Sequence, residues 1–305
     1  MSHWRRDIMF NKYRYSLLFI ALTFFINWLL IGLFLALGEG WNSTATPLVL
    51  VAYMFVPMLV AILVQKLVKH EGVIKPLQVS FKLNRWFLLA WLLPPLLAIS
   101  ALGVSLLLPG VQYTSNMAGL LDIFGQNLSP EQVTQIQAQL EALPISYFWI
   151  VLIQGLIAGI TVNAVAAFGE ELGWRGFLLR EFRHLGFWRA SLLIGFIWGV
   201  WHAPVILQGH NYPQHPLAGV GMMIIWCMLL TPIFVYVRVK AKSVIAAAIM
   251  HGTLNGTAGL ALMMVRGGND LTVGLTGVAG FVVLLLVNIL IAWFNPKFDL
   301  ETVGE

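Results

Sequence analysis

Eight apolar stretches separated by polar segments set the pattern of this 305-residue chain: Leu17–Leu37, Pro47–Val64, Trp86–Leu108, Tyr147–Phe168, Ser191–Gln208, Leu217–Val237, Ser243–Met264 and Val273–Phe294. A helix of about 20 apolar residues rises ~30 Å, the thickness of a bilayer's hydrocarbon, so each stretch is predicted as a transmembrane helix. The first follows a basic N-terminal segment with no small-residue cleavage site, which predicts a retained helix and not a signal peptide. In the third, Pro94-Pro95 removes two amide donors and predicts a kink. The longest polar stretch, Pro109 to Pro144, predicts a short helix over Pro130–Leu143, with Ser129 as N-cap, Pro130 first and Glu131 in the first turn. With no internal repeat and no separate soluble segment, residues 1–305 read as a single all-α integral-membrane domain, a bundle of about eight transmembrane helices.

Composition agrees with that solvent. The chain is 59% hydrophobic and 10% charged, against about a quarter charged in a soluble domain. A net charge of +5 in a soluble protein would suggest nucleic acid; here the cations cluster in short loops between apolar runs, so the partner is the lipid bilayer, with no nucleic acid. If the spans alternate, 17 of the 18 Lys and Arg fall on one side and only Arg266 on the other. The positive-inside rule then places both termini in the cytoplasm, and the expected location is multi-pass in the cell membrane. The lone Cys227 excludes an intramolecular disulfide and reads as a small buried hydrophobe.

Ionisable groups at bilayer depth are costly and mark function by default. Ten acids (Asp7, Glu39, Glu71, Asp122, Glu131, Glu141, Asp270, Asp299, Glu301 and Glu305) fall in loops or tails, and Glu181 lies among interfacial arginines. Glu170 and Glu171 remain. Counted at about 1.5 Å per residue from the cation-rich boundary, Glu170 lies ~15 Å deep, His202 ~16 Å and His251 ~12 Å, with Asn255 one turn beyond His251 on the same face. An acid, two imidazoles and an amide are therefore expected at one level, in an intramembrane cavity open toward the cytoplasm. Helical phase places Glu171 and Arg175 within ~40° of each other and turns Glu170 ~100° away. Arg175 is thus expected to hold Glu171 as a supporting ion pair, leaving Glu170 free to face the cavity as a general base. His3, His70, His184, His210 and His215 read as solvated histidines in loops or at interfaces, and Phe196, Trp198 and Trp201 as core or belt residues.

Three motifs in order carry a resemblance: Glu-Glu-x-x-x-Arg at Glu170, Glu171 and Arg175; an aromatic four residues before a histidine at Trp198 and His202; and His-x-x-x-Asn at His251 and Asn255. Over about 169–255 the chain resembles the CAAX protease and bacteriocin-processing family, also called the Abi family, which includes the type II CAAX prenyl endopeptidases. It departs from the usual pattern in having Trp198 where Phe is common. The resemblance implies an eight-helix fold and an intramembrane endopeptidase. It implies that Glu170 and His202 activate a water, and that His251 with Asn255 stabilises the oxyanion. The implied partner is a peptide or protein substrate reaching the site from the membrane or cytoplasmic side.

Rival protease designs leave no trace: there is no His-Glu-x-x-His helix, no Gly-x-Ser-Gly and no intramembrane aspartate pair. A zinc site built from Glu170, His202 and His251 is chemically sound, but metal-free catalysis with no cofactor is the preferred expectation. A buried acid with histidines also describes a proton-coupled transporter, or a non-catalytic immunity or scaffold protein.

Overall fold

The structure, a computed structural model, describes residues 3–304 apart from 39, 42, 116, 126, 127, 297 and 302, with backbone alone for 3–12 and 141. Glu39, Lys297 and Glu305, and the side chains of His3, Arg5, Arg6, Asp7, Lys12 and Glu141, used in the charge count above, lie outside the described residues.

Helices dominate. In chain order they are α1 (His3–Ala36), α2 (Thr46–Leu63) extended by a π turn (Val64–Val68), α3 (Arg85–Ser105), α4 (Ala118–Phe124), α5 (Pro130–Glu141), α6 (Tyr147–Gly159) and α7 (Val162–Glu171). A second π turn (Leu172–Leu178) leads into α8 (Leu179–Phe182), followed by α9 (Phe187–Trp201), α10 (Ala203–Ile206), α11 (Pro216–Ala241), α12 (Val244–Thr257), α13 (Leu260–Met263) and α14 (Val278–Phe294). One two-residue strand pair, β1 (Gln112–Tyr113) with β2 (Val265–Arg266), is antiparallel. The chain is an integral membrane protein: among the described residues five helices are long and apolar enough to cross a bilayer, and a sixth span arises if the pair Tyr147–Gly159 and Val162–Leu185, bent by 55°, counts as one.

The remaining two predicted spans coincide with the shorter apolar helices Phe187–Trp201 and Val278–Phe294. Both are cut short by backbone chemistry. Pro204 cannot supply the amide that would carry α9 onward, and Gly274, at φ +79°, turns the chain before α14 begins. Pro94 and Pro95 lie buried within α3. The expected helix after Ser129 is present as α5, with a full capping box between Ser129 and Gln132.

The loops gather on two faces. On the cation-rich face Lys69 pairs with Glu181 and Arg180 with Glu71, Arg238 donates to Gln78 Oε1 at 2.6 Å, and Arg183 donates to the Val303 carbonyl at 3.1 Å. On the opposite, cation-poor face β1 pairs with β2, Tyr212 donates to the Thr276 carbonyl at 2.8 Å, and His215 Nδ1 meets Asp270 Oδ1 at 2.6 Å.

Between the faces, glycine spacing four apart brings backbones together where the motif residues sit. A Cβ at Gly169 would come 2.6 Å from the Met54 carbonyl oxygen on α2, and one at Gly252 would come 2.6 Å from the Ala164 nitrogen on α7. Such close approach is open only to glycine, and it is how small-residue helix pairs pack in lipid, where apolar burial adds no drive. Because Gly169 precedes Glu170 and Gly252 follows His251, the contacts that close the bundle also set the separation of those side chains.

Candidate active site

Glu170 is the last residue but one of α7, just before the π turn, His202 caps α9, and His251 and Asn255 stand one turn apart on α12. A π turn adds a residue to the helical ring and so rotates the next turn of helix, and such bulges recur at functional sites. Glu170, His202, His251 and Asn255 all line one cavity of about 330 Å³. Glu170 is 3% exposed, Glu171 and Arg175 are fully buried, and His251 is 4% exposed, whereas Asn255 is exposed.

The hydrogen bonds are asymmetric. Trp198 Nε1–H donates to Glu170 Oε2 at 2.7 Å, so Glu170 is not the unpartnered acid that helical phase predicts. His202 Nδ1 lies 2.8 Å from the Trp198 carbonyl. A carbonyl only accepts, so Nδ1 carries the proton and the neutral ring keeps its lone pair at Nε2. Trp198 thus joins Glu170 and His202; among the described residues no direct hydrogen bond links the two. Trp198 is 1% exposed and packs in the core, as expected; to that place the indole N–H adds a hydrogen bond that a phenylalanine at this position would lack.

Arg175 Nη1 donates to Glu171 Oε1 at 2.9 Å, the pair that the spacing of four residues predicts. Nη2 donates to Thr231 Oγ1 at 3.1 Å, and the guanidinium lies 4.2 Å from the Trp198 ring centre and 4.7 Å from that of Phe234. Glu171 has a second contact that sequence reasoning missed. Its Oε1 accepts from His251 Nδ1 at 2.9 Å, so the supporting pair reaches the cavity through His251. Among the described residues no group of three His, Cys, Asp or Glu side chains converges closely enough to hold one metal ion.

Two further residues, Asn27 and Tyr53, escaped the sequence reading. Asn27 donates to the Tyr53 carbonyl at 2.8 Å and accepts from Trp201 Nε1 at 2.9 Å, while Tyr53 Oη donates to the Trp201 carbonyl at 2.6 Å. This buried network ties α1 and α2 to the end of α9, beside His202, and Tyr53 itself lines the cavity. Asn27, an amide in the middle of the first apolar run, was the available signal. His210 lines the cavity and is not the solvated loop histidine expected, whereas His215 is a loop histidine with its side chain 41% exposed, held by Asp270.

Besides the motif residues, the cavity is lined by Leu50, Val205, Asn211 and Thr276, all toward the cation-poor face. The expected depths are counted from the cation-rich ends of α9 and α12. Because α9 stops at Trp201 and α12 at Thr257, His202 and Asn255 lie at the far ends of short helices.

Trp198→Phe separates the two contributions of this side chain. The ring still fills the space under Arg175, but Glu170 loses its donor, which is expected to cost about 1–3 kcal/mol of stability. A lowered melting temperature in detergent checks this, and an unchanged one would remove the hydrogen bond from the account.

Residues 144–257 match the family model described as type II CAAX prenyl endopeptidase Rce1-like. A curated relative, CAAX prenyl protease 2 of Methanococcus maripaludis, is 27% identical over 155 residues, which is 46% of this chain and 51% of that protein. The chain therefore spans about half the length of the relative it matches. The matched region holds every motif residue from Glu170 to Asn255, and over residues 144–257 this chain is similar to the Rce1-like type II CAAX prenyl endopeptidases.

Proposed function

We propose that this protein is an intramembrane endopeptidase that hydrolyses peptide bonds with a water activated by Glu170 and His202, without a metal ion. The observation that carries the reading is the cavity itself: a buried carboxylate, two imidazoles and an amide from three segments line one space of about 330 Å³. The Rce1-like match over 144–257 supports the same reaction class.

Water attacks the carbonyl carbon while Glu170 takes its proton, with His202 Nε2 as a second acceptor for the same water. The carbonyl oxygen becomes the oxyanion, which His251 and Asn255 face from α12. The proton held by Glu170 then passes to the leaving nitrogen, the C–N bond breaks, and a carboxylate and an amine leave. Donors fixed in a poorly solvated cavity stabilise such charge without reorganising. The Glu171 bond qualifies the part of His251. With Nδ1 directed at Glu171, Nε2 offers a proton only from the imidazolium, and it is the adjacent carboxylate of Glu171 that balances that cation.

The test is cleavage of a peptide library by purified protein in detergent or nanodiscs. His202→Ala is expected to lower the rate by roughly 10²-fold or more, the low end for a positioned acid–base group, while the protein still inserts and purifies. Activity lost to a chelator and restored by zinc would overturn the metal-free mechanism. Proton flux with no peptide cleaved by the wild-type protein would favour a transporter instead.

A further inference from the structure

The cavity has a floor and a mouth, and they lie at opposite faces of the bundle. Below Glu170 and His251, toward the cation-rich face, the space is filled by Glu171, Arg175, Trp174, Phe177 and Phe234, all with no solvent exposure. That face is closed further by the Lys69–Glu181 ion pair and by Arg238 on Gln78. The mouth is built differently. Val205, His210 and Asn211 come from the segment between α9 and α11, Thr276 from the turn before α14, and Leu50 from the first turns of α2. All of these lie toward the cation-poor face, where the segment before α11 is tied to the turn before α14 by Tyr212 on Thr276 and by His215 and Gln214 on Asp270.

Charge fixes which compartment each face meets. Among the described residues the face below the floor carries Lys66, Lys69, Lys75, Lys82, Arg180, Arg183, Lys240 and Lys242, while the face with the mouth carries Arg266. Short cation-rich loops stay on the cytoplasmic side of a membrane. We propose that the site is entered from the extracytoplasmic face, and that its substrate is a peptide segment exposed on that side or emerging from that leaflet, not a cytoplasmic chain terminus. This substrate class rests on the peptidase reading above; the orientation does not. The products, a new carboxylate and a new amine, leave on the same side, since the floor offers no passage.

Cysteine labelling tests the orientation directly, because the one native thiol, Cys227, is fully buried. Thr276→Cys at the mouth and Lys75→Cys on the opposite face are each expressed in bacterial spheroplasts and treated with a membrane-impermeant maleimide before and after lysis. Thr276→Cys is expected to label fully in intact spheroplasts and Lys75→Cys only after lysis. Leu50→Cys, which lines the same cavity from α2, is the second mouth probe should Thr276→Cys fail to accumulate. Labelling of the mouth cysteine only after lysis overturns the inference.

A second arm tethers one reporter peptide to a membrane anchor on either side, with Glu170→Gln as the inactive control. Cleavage of the extracytoplasmic reporter alone is expected. A mouth labelled from outside with no reporter cut sinks the peptidase reading and leaves the orientation standing. A reporter cut only on the cytoplasmic side leaves the peptidase and overturns the substrate class.

Discussion

Glu170→Gln is expected to abolish peptide cleavage while leaving the protein folded and inserted. The amide has the size and shape of the carboxylate, and its oxygen still accepts from Trp198 Nε1, which lies 2.7 Å from Glu170 Oε2. What it loses is the capacity to take a proton from water. A positioned general base contributes about 10²–10⁴-fold, so the initial rate is expected to fall by at least that lower bound. Melting temperature and yield from membranes are expected to stay near those of the wild type. A variant that cleaves normally would remove Glu170 from the chemistry, and with it the mechanism, since no other acid among the described residues lines this cavity.

Arg175→Met is expected to act on the fold first. Arg175 and Glu171 are both fully buried, and removing one member of a buried pair leaves an uncompensated charge, at a cost of about 3–5 kcal/mol. Methionine fills much of the stem's volume but offers nothing to Glu171 Oε1 or Thr231 Oγ1. The double variant Glu171→Gln/Arg175→Met removes both charges together and is expected to recover much of the loss. Denaturation by SDS or heat reads both. If the single variant is as stable as the wild type, the pair contributes nothing. If the double variant is no better than the single, the cost lies in packing against Trp198 and Phe234 and not in the unpaired charge. Activity is expected to drop in both, because Glu171 also holds His251 Nδ1 at 2.9 Å.

These two side chains show what could be read from the chain alone. Four residues on a helix put Glu171 and Arg175 on one face, and nothing farther away is needed for that pair to form. The apolar stretches likewise announced a helical membrane protein, and the cost of an acid in hydrocarbon singled out Glu170 before any fold was known. His202, His251 and Asn255 followed from counting depth, because a bundle must stack the residues that lie at one level.

Partners across helices were another matter. That Glu170 takes its hydrogen bond from Trp198, that Glu171 continues to His251, and that Asn27, Tyr53 and Trp201 form a network beside His202 depend on rotations about each helix axis. Sequence spacing fixes those rotations within one helix only. Where glycine lets two backbones approach, as at Gly169 against Met54 and Gly252 against Ala164, the relative rotation is set by the close contact.

The opening of the cavity was decided at the same level. Local composition told which loops carry the cations, so the sequence by itself determined a membrane bundle and its charge asymmetry. Only the tertiary structure showed that α9 and α12 end early and that Trp174, Arg175 and Phe234 fill the space beneath, because a mouth exists wherever neighbouring helices fail to fill it, which no single helix records.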